Sequence, residues 1–265
     1  MSQHRPIAVI KGAGDLATGV AYRLYQCRLD VIMTEISCPL VVRRKVAFAA
    51  AVNEGTVTVE GIRASLAATV EQACDLLKER LIPVLVDPEA AVVKKLQPQV
   101  VVDARMAKRN LGTTSDEAPL VIGLGPGFVA GQDVHVVIET CRGHRLGQVI
   151  YSGGAIPDTG KPGAVNGFTV ERLLRAPVEG VVKPGRSIGD VVEKGDVVAF
   201  VENIPVRAQI PGIIRGMIID GARVPQGTKI GDIDPRKDTE CDTISDKALS
   251  IGGGVLEAVF SFLAS

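Results

Sequence analysis

A glycine-rich turn near the N-terminus has the residue types that bind the pyrophosphate of a nucleotide. Gly12, Gly14 and Ala17 form a GxGxxA pattern between a predicted strand and a predicted helix. Glycines let the backbone approach a pyrophosphate, and the helix N-terminus attracts its charge. Glu35 ends the second predicted strand, where an acid binds a ribose 2′-hydroxyl. Asp15, within the turn, is taken with these residues as a candidate binding residue. The alternative is a purely structural turn, in which Asp15 caps the helix and no ligand binds.

A second glycine-rich loop follows the last strand predicted for the same sheet. Its sequence is Gly-Leu-Gly-Pro-Gly over residues 123–127. Ligands of open α/β sheets bind where strands end, and successive backbone amides there can form a nest for an anion. Gly125 and Gly127 are therefore candidate binding residues. A glycine-rich exit from the domain explains the same loop without a ligand.

Basic residues follow two of the predicted strands. Arginine in such positions suits a phosphate or a carboxylate, which its planar fork binds through two hydrogen bonds. The clusters are Arg43, Arg44 and Lys45, in a helix predicted to begin at Pro39 and to run to about Val52, and Arg105, Lys108 and Arg109 after Asp103. Arg105 is taken as a candidate binding residue, and a solvated surface is the alternative for both clusters.

One histidine and one cysteine are candidates for catalysis. His144 lies beside Arg142 and Arg145, which would attract an anion, and a plain turn is the alternative. Arg142 is taken as a binding residue. Cys241 precedes a predicted helix start, where the dipole favours a thiolate, although a buried, inert cysteine explains it equally. We expect no metal site, because no further histidine or carboxylate stands at ligand spacing.

The elements that must position these residues predict an α/β fold. Short apolar runs such as IPVLVD, QVVVDA and APLVIGLG read as buried strands. A helical stripe behind the first glycine turn and a capping box at Thr69 and Gln72 predict covering helices, and a hairpin is predicted to turn at Glu60-Gly61. Residues 1–130 are therefore predicted to form a Rossmann-like nucleotide-binding domain with a mostly parallel sheet.

An internal repeat with a spacing of 32 residues marks the second half of the chain. The recurring pairs include Ala176 and Ala208, Gly180 and Gly212, Gly189 and Gly221, and Gly195 and Gly227. Two copies are too few for a solenoid, so they predict a pair of intertwined β half-motifs related by a pseudo-two-fold axis.

Residues 171–236, which hold the repeat, resemble a lipoyl or biotinyl carrier domain, an all-β barrel-sandwich hybrid. In those carriers the modified Lys stands at the hairpin tip between the halves, where this chain has Asn203-Ile204-Pro205. We therefore expect a scaffold or a docking surface in place of a carrier.

Two further regions complete the predicted organisation. Residues 131–170 are predicted to form a hairpin, from DVHVVIE and GQVIY, and a Gly/Pro-rich connecting loop. Residues 237–265 are predicted to form a C-terminal helix that is interrupted at Gly252-Gly253-Gly254 and packs back on the first domain.

Composition excludes several classes of protein. The 265 residues carry 30 Lys and Arg against 30 Asp and Glu, with three Tyr, six Phe and no Trp. Zero net charge and few stacking platforms argue against nucleic-acid binding. No apolar run is long enough for a membrane span, and we expect no signal peptide. Five cysteines without a CxxC pair indicate a reducing compartment, so a cytoplasmic location is expected.

Long motifs in a fixed order carry a resemblance over nearly the whole chain. They include VIKGAGDLATGVAYRL, VVDARMAKRN, PLVIGLGPGFVAGQDV, IGDIDPR and TISDKALSIGGGVLEA. From about Ile7 to Ala258 the chain resembles the YqeB-type selenium-dependent molybdenum hydroxylase accessory family. The resemblance implies a cytoplasmic protein that assists maturation of such hydroxylases, with a hydroxylase as its partner. It implies no particular reaction and no catalytic residues.

Three functional hypotheses follow. The first is an accessory factor that binds a nucleotide, or the phosphorylated pterin of a molybdopterin-type cofactor, and docks the target enzyme. The second is an NAD(P)-dependent oxidoreductase that acts on a maturation intermediate. The third is a selenium or sulfur relay through Cys241 or Cys141.

Overall fold

The computed structural model describes residues 5–158, 160 and 163–264, which form two compact units. Unit 1 comprises the described residues of Met1–Pro39, Ala47–Thr159 and Ile244–Ser265, and unit 2 those of Leu40–Val46 and Gly160–Thr243. The C-terminal helix therefore belongs to unit 1, whereas a short segment from the N-terminal half belongs to unit 2. Of the predicted connecting loop, Thr159, Lys161 and Pro162 lie outside the described residues.

Unit 1 combines short strands with five helices. The strands are β1 (Ile7–Lys11), β2 (Asp30–Glu35), β3 (Thr56–Val59), β4 (Ile62–Ala67), β5 (Ile82–Val86), β6 (Val100–Asp103), β7 (Leu120–Leu124), β8 (Val129–Ala130), β9 (Val136–Ile138), β10 (Val149–Ile150) and β11 (Gly153–Gly154). The helices are α1 (Asp15–Gln26), α2 (Ala51–Glu54), α3 (Val70–Lys78), α4 (Val92–Leu96) and α5 (Asp246–Leu263). Single 3₁₀ turns lie at Phe48–Ala50 and Ser115–Glu117.

Nine of these strands form one mixed sheet in the order β10-β9-β7-β6-β1-β2-β5-β4-β3. The strands from β9 to β4 pair in parallel, and β10 and β3 close the two edges in antiparallel orientation. Val9, Ile32, Val101 and Val121 are fully buried at the centre of the sheet. Continuous burial of this kind suits strands that are covered on both faces. The predicted α/β class is confirmed.

Three local predictions are confirmed. The β3–β4 hairpin turns at Glu60 and Gly61, both with positive φ, as a tight two-residue hairpin requires. The amide of Gln72 donates to Thr69 Oγ1 at 3.2 Å, which caps α3 as predicted. DVHVVIE and GQVIY pair as β9 and β10.

The helix predicted to begin at Pro39 is wrong. Residues 40–46 lie beside a strand of unit 2, where the Met217 amide donates to the Val42 carbonyl oxygen and Arg44 Nε donates to the Met217 carbonyl oxygen, both at 2.9 Å. These hydrogen bonds hold the basic segment against that strand. The Val42 carbonyl oxygen is therefore bonded to Met217 and is not bonded within a helix. Only a 3₁₀ turn at Arg44–Val46 interrupts it.

The interruption predicted in the C-terminal helix is also wrong, because α5 runs through all three glycines. Gly252 allows close packing on α1. A Cβ at Gly252 would lie 2.6 Å from the Gly19 carbonyl oxygen, and a Cβ at Gly19 would lie 2.7 Å from the Ala248 Cβ. Within the described part of the chain, no helix has the length and apolarity needed to cross a bilayer.

Unit 2 consists of eight strands in two four-stranded sheets. The strands are β12 (Leu173–Arg175), β13 (Gly180–Pro184), β14 (Val191–Val192), β15 (Val197–Val201), β16 (Ile204–Arg207), β17 (Gly212–Met217), β18 (Arg223–Val224) and β19 (Lys229–Asp234). The sheet orders are β12-β19-β17-β14 and β16-β15-β13-β18. A further 3₁₀ turn lies at Val170–Arg172.

The repeat relates these two sheets strand by strand. A shift of 32 residues carries β12, β13, β14 and β15 onto β16, β17, β18 and β19, so each sheet draws strands from both copies. Hydrogen bonds that cross between the copies are reciprocal. The Gly227 amide donates to the Ala176 carbonyl oxygen, and the Gly195 amide donates to that of Ala208, each at 2.8 Å. The two copies are therefore interwoven, and neither sheet can form from one copy alone.

The close contact between α1 and α5 predicts opposite effects of two neighbouring substitutions. Gly252→Ala is expected to lower the free energy of unfolding by about 1–3 kcal/mol, because the new methyl group overlaps the Gly19 carbonyl. Gly253→Ala meets no heavy atom within 4 Å and is expected to raise that energy by roughly 0.5–1 kcal/mol through helix propensity. Urea unfolding followed by circular dichroism measures both. A shift of the same sign in the two variants contradicts the packing described.

Asp234 gives unit 2 a pH-dependent stability. Burial raises the pKa of its carboxyl, but hydrogen bonds from Arg236 and the charges of Arg236 and Arg215 outweigh burial and lower the pKa to about 2. A lowered carboxyl pKa contributes stability above pH 4, and this contribution disappears as the pH falls from about 4 toward 2. The contribution is about 2 kcal/mol at neutral pH. Unfolding measured at pH 6 and pH 3 should show a smaller acid destabilisation in Asp234→Asn; an unchanged pH dependence contradicts the assignment.

Candidate functional site

The carboxyl edge of the large sheet collects nearly all the candidate residues. β1 and β6 are neighbours there, and the chain proceeds from β1 toward β2 on one side and from β6 toward β7 on the other. Ligands of open α/β sheets bind at such a switch point. The predicted residues that follow parallel strands at this edge are Gly12, Gly14, Asp15 and Ala17 after β1, Glu35 at the end of β2, Arg105 after β6, Gly125 and Gly127 after β7, and Arg142 after β9.

The turn between β1 and α1 is held by Glu35. Gly12 has a φ of 96°, which favours glycine, and its amide donates to the Thr34 carbonyl oxygen at 2.8 Å. The Ala13 amide donates to Glu35 Oε2 at 3.0 Å, and the Ile36 amide donates to Oε1 at 2.9 Å. Each carboxylate oxygen keeps a second lone pair for another donor. The carboxylate therefore fixes the turn and can still accept a hydroxyl group.

The N-terminus of α1 faces the same edge. Gly14 is its N-cap residue and supplies no capping side chain. Asp15 lies one position later, in the first turn, so it does not occupy the cap position that the structural alternative required. Thr18, fully buried, ties the helix to its surroundings: its Oγ1 donates to the Gly14 carbonyl oxygen and accepts from the Phe48 amide, both at 2.9 Å. The start of the helix is positively polarised.

Lys247 brings a positive charge to this edge from the far end of the chain. It lies in the first turn of α5 and interacts electrostatically with Arg142, Asp15 and Glu139. Burial, followed by the charge of Arg142, lowers the pKa of its ammonium group, while the carboxylates act in the opposite direction. Arg142 itself forms a bidentate pair with Asp246, at 2.8 and 3.1 Å.

Sequence reasoning missed Lys247, although a signal was present. A helix N-terminus favours negative side chains and disfavours a lysine in its first turn. Ser245 caps α5 by accepting from the Ala248 amide at 3.2 Å, so the start of the helix, and hence the unfavourable place of Lys247, follows from the Ser-Asp-Lys sequence. Residues that break a local rule concentrate at functional sites.

Arg105 is engaged in a charge network, which limits its part in ligand binding. Its Nε donates to Asp103 Oδ1 at 3.1 Å, and its Nη2 donates to Asp103 Oδ2 and to Thr113 Oγ1. Lys11, buried at the end of β1, donates to Thr113 Oγ1 at 2.8 Å and pairs with Glu117 at 2.6 Å. Two positive and two negative groups balance one another. The network ties the end of β1 to the end of β6 and to the loop that follows.

A loop without a helix longer than a single 3₁₀ turn joins β6 to β7. Asn110 organises it, since its Oδ1 accepts from the amides of Gly112 and Thr113 at 2.9 and 2.8 Å. Lys108, which has positive φ, pairs with Asp158 at 2.6 Å. The side chain of Arg109 is exposed.

Gly125 and Gly127 have a packing role at this edge. Both have positive φ. A Cβ at Gly125 would overlap Thr140 Oγ1, and a Cβ at Gly127 would lie 2.6 Å from the backbone of Arg109. These glycines bring the loops after β6, β7 and β9 into contact, which explains the Gly-Leu-Gly-Pro-Gly sequence without a ligand.

The two candidate catalytic residues lie in different units. His144 is exposed in the loop between β9 and β10 and belongs to unit 1. Cys241 belongs to unit 2, where it is buried in the apolar core and its Sγ lies 3.8 Å from the Ile214 carbonyl oxygen. Burial raises the pKa of its thiol despite the nearby charges of Lys45 and Arg43. The expected helix start beside Cys241 is wrong, because α5 begins at Asp246.

Comparison with known proteins gives one extensive match. Over 258 residues the chain is 50% identical to the protein YqeB of Escherichia coli K12, which is described as uncharacterized. The match supports a YqeB-family assignment. It covers 97% of this chain and 48% of YqeB, so the chain spans about half the length of that relative. No protein-family model matches the chain.

Solved structures give only distant likenesses. An aspartoacylase family protein from Mesorhizobium loti is 14% identical, with 88% of this chain and 86% of that chain covered and a TM-score of 0.30. The product-bound ectoine utilization protein EutE from Ruegeria pomeroyi is 14% identical, with 86% and 85% covered and a TM-score of 0.26. A succinylglutamate desuccinylase/aspartoacylase from Rhodobacter sphaeroides is 13% identical, with 88% and 87% covered and a TM-score of 0.28. Scores this low carry no functional conclusion.

The position of Lys247 predicts that its charge lowers the stability of the protein. Lys247→Met removes a partly buried charge from a helix N-terminus and from the neighbourhood of Arg142, so the variant is expected to unfold at a higher temperature than the parent protein at pH 7. Differential scanning calorimetry checks this. The matched control is Lys78→Met, at the last turn of α3, where a positive charge favours the helix and its removal should lower the melting temperature slightly. A destabilised Lys247→Met variant contradicts the expectation.

Proposed function

We propose that the protein is an accessory factor in the maturation of selenium-dependent molybdenum hydroxylases, and that unit 1 binds a nucleotide or the phosphorylated pterin of a molybdopterin-type cofactor. The observation that carries the binding proposal is the start of α1 at the switch point of the sheet, with glycine at the N-cap. The maturation role comes from the sequence resemblance, and the match to YqeB is compatible with it.

The donors at this edge suit a phosphorylated ligand. The turn from Gly12 to Gly14 lets a phosphate approach the backbone, and the dipole of α1 attracts its charge. Lys247 adds an ammonium group on the side of Asp15. Arg105 and Arg142 are already paired with Asp103 and Asp246, so they contribute to the local potential more than to direct contacts.

Glu35 favours a ligand with a free ribose 2′-hydroxyl over a ligand that carries a phosphate on that hydroxyl. Its carboxylate ends β2, beside the turn, and retains acceptor capacity. An acid here accepts from a ribose 2′-hydroxyl and repels a 2′-phosphate. Among dinucleotides we therefore propose NAD in preference to NADP.

This same feature supports a second candidate, an NAD-dependent oxidoreductase that acts on a maturation intermediate. The two proposals share the site and differ in chemistry. The absorbance of reduced NAD, measured with a candidate hydroxylase precursor present, distinguishes the two proposals. An oxidoreductase changes this absorbance. An accessory factor leaves the absorbance unchanged.

For unit 2 we propose a barrel-sandwich hybrid that docks the target enzyme. The repeat-related sheets support this architecture. The tip between β15 and β16 turns at Glu202 and Asn203 and has no Lys to carry a lipoyl or biotinyl group.

A substitution at the N-cap separates ligand binding from folding. Gly14 has a φ of −65° and a ψ of −178°, which any residue can adopt. Gly14→Asp should cap α1 and keep or raise stability, yet weaken binding of a phosphorylated ligand at least tenfold, because its carboxylate occupies the anion position. Isothermal titration with NAD, NADP, ATP and a molybdopterin-type cofactor measures the loss.

The matched control is Gly14→Ser, which caps the helix without a charge and should retain most of the binding. Equal affinity in the parent and Gly14→Asp proteins would contradict the proposed site. Absence of binding to every ligand in the parent protein would contradict the proposed function of unit 1.

A further inference from the structure

Unit 2 contains a groove that lies on its pseudo-two-fold axis. Its volume is about 370 Å³, within the range of small-molecule and peptide pockets. The two walls come from β12 and β16, and the facing residues are repeat partners separated by 32 positions: Leu173 and Pro205, Leu174 and Val206, and Arg175 and Arg207. The groove therefore presents nearly the same chemistry from both sides.

The two arginines are held in matching orientations. Arg175 Nη1 donates to the Gly227 carbonyl oxygen, and Arg207 Nη1 donates to the Gly195 carbonyl oxygen, each at 2.8 Å. Gly195 and Gly227 are themselves repeat partners. Each guanidinium has five N–H donors, so most of them remain for another acceptor. Within the described residues, neither arginine forms an ion pair, and no acidic side chain lines the groove.

The remaining lining favours side-chain recognition over strand addition. The floor of the groove is apolar: Leu174 and Val206 lie buried at its base, and Val170 and Pro205 expose apolar surface beside them. β12 and β16 are edge strands of their sheets, and Pro205 lacks the amide that a continuous added strand requires. A segment bound here would place apolar side chains on the floor and acceptors at the two guanidiniums.

We propose that this groove docks an extended, acidic segment of a partner protein, with one carboxylate at Arg175 and one at Arg207. Charge complementarity carries the assignment: two fixed guanidiniums flank an apolar floor with no carboxylate among the lining residues. In an extended segment, successive side chains point to opposite faces, so alternation of acidic and apolar residues places apolar side chains toward the floor and carboxylates away from it, toward the exposed guanidiniums. The inference deepens the docking role proposed for unit 2 and rests on it.

A synthetic peptide tests the groove directly. The probe is a fluorescein-labelled nonapeptide that alternates Asp and Val, and binding to the full chain is followed by fluorescence anisotropy. We expect affinity at least tenfold higher than for the same peptide with Asn in place of Asp, and a loss of affinity as salt rises. Equal binding of the two peptides, or no binding of the acidic one, overturns the proposal.

Because the two arginines are related by the pseudo-two-fold axis, their substitution is expected to weaken peptide binding to a similar degree. Arg175→Ala and Arg207→Ala should each weaken binding about tenfold and to a similar degree. Arg223→Ala is the matched control, since Arg223 is an exposed arginine of unit 2 outside the groove, and it should bind as the parent does. Arg175→Lys and Arg207→Lys retain the charge and should lose less affinity. Melting temperatures of all variants exclude unfolding as the cause.

Competition identifies the occupant. Succinate, inorganic phosphate or a short RNA that displaces the peptide at concentrations equal to its own overturns the assignment to a protein segment. The proposed ligand site of unit 1 is tested separately by Gly14→Asp, which should bind the peptide normally. Loss of peptide binding only in the groove variants, together with intact nucleotide or pterin binding, assigns the two functions to different units.

Discussion

The contact between α1 and α5 is the constraint on which the candidate site depends. Gly19, Ala248 and Gly252 bring the two backbones so close that an added methyl group would overlap a carbonyl oxygen or a methyl group. The glycine contacts advance in the same sense along both helices, so both N-termini lie at the carboxyl edge of the sheet. Lys247 reaches Asp15 only because of this packing. The last helix therefore adds Lys247 to the candidate residues at the start of α1.

Unit 2 follows a different principle, in which a repeat supplies the long-range order. Each strand of one copy has a counterpart 32 residues later, and the reciprocal bonds at Gly195 and Gly227 join the copies. Each sheet therefore requires both copies. The same symmetry places Arg175 and Arg207 on the two walls of one groove.

Much of this architecture was predictable from the sequence, and the errors have a common physical cause. Strands, the Glu60-Gly61 turn and the Thr69 cap depend on neighbours in the chain, and they were predicted correctly. The candidate residues at strand ends followed from the rule that parallel strands share an edge. The segment 40–46, the continuity of α5 and the approach of Lys247 to Asp15 depend on partners more than a hundred residues away, which periodicity cannot report. The prediction for Cys241 was wrong for a different reason: the thiol is buried in the apolar core of unit 2, and this burial raises its pKa.

The electrostatics of the sheet edge restrict the kind of ligand that it can hold. Two helix N-termini, each equivalent to roughly half a positive charge, meet there with Lys247. Asp15 and Asp246, in the first turns of these helices, already offset part of that potential. A ligand with a single negative charge would gain little over these carboxylates, whereas a diphosphate would bring more charge and several acceptors to the N-terminus of α1. The balance of charges thus favours a pyrophosphate-bearing ligand over a simple carboxylate.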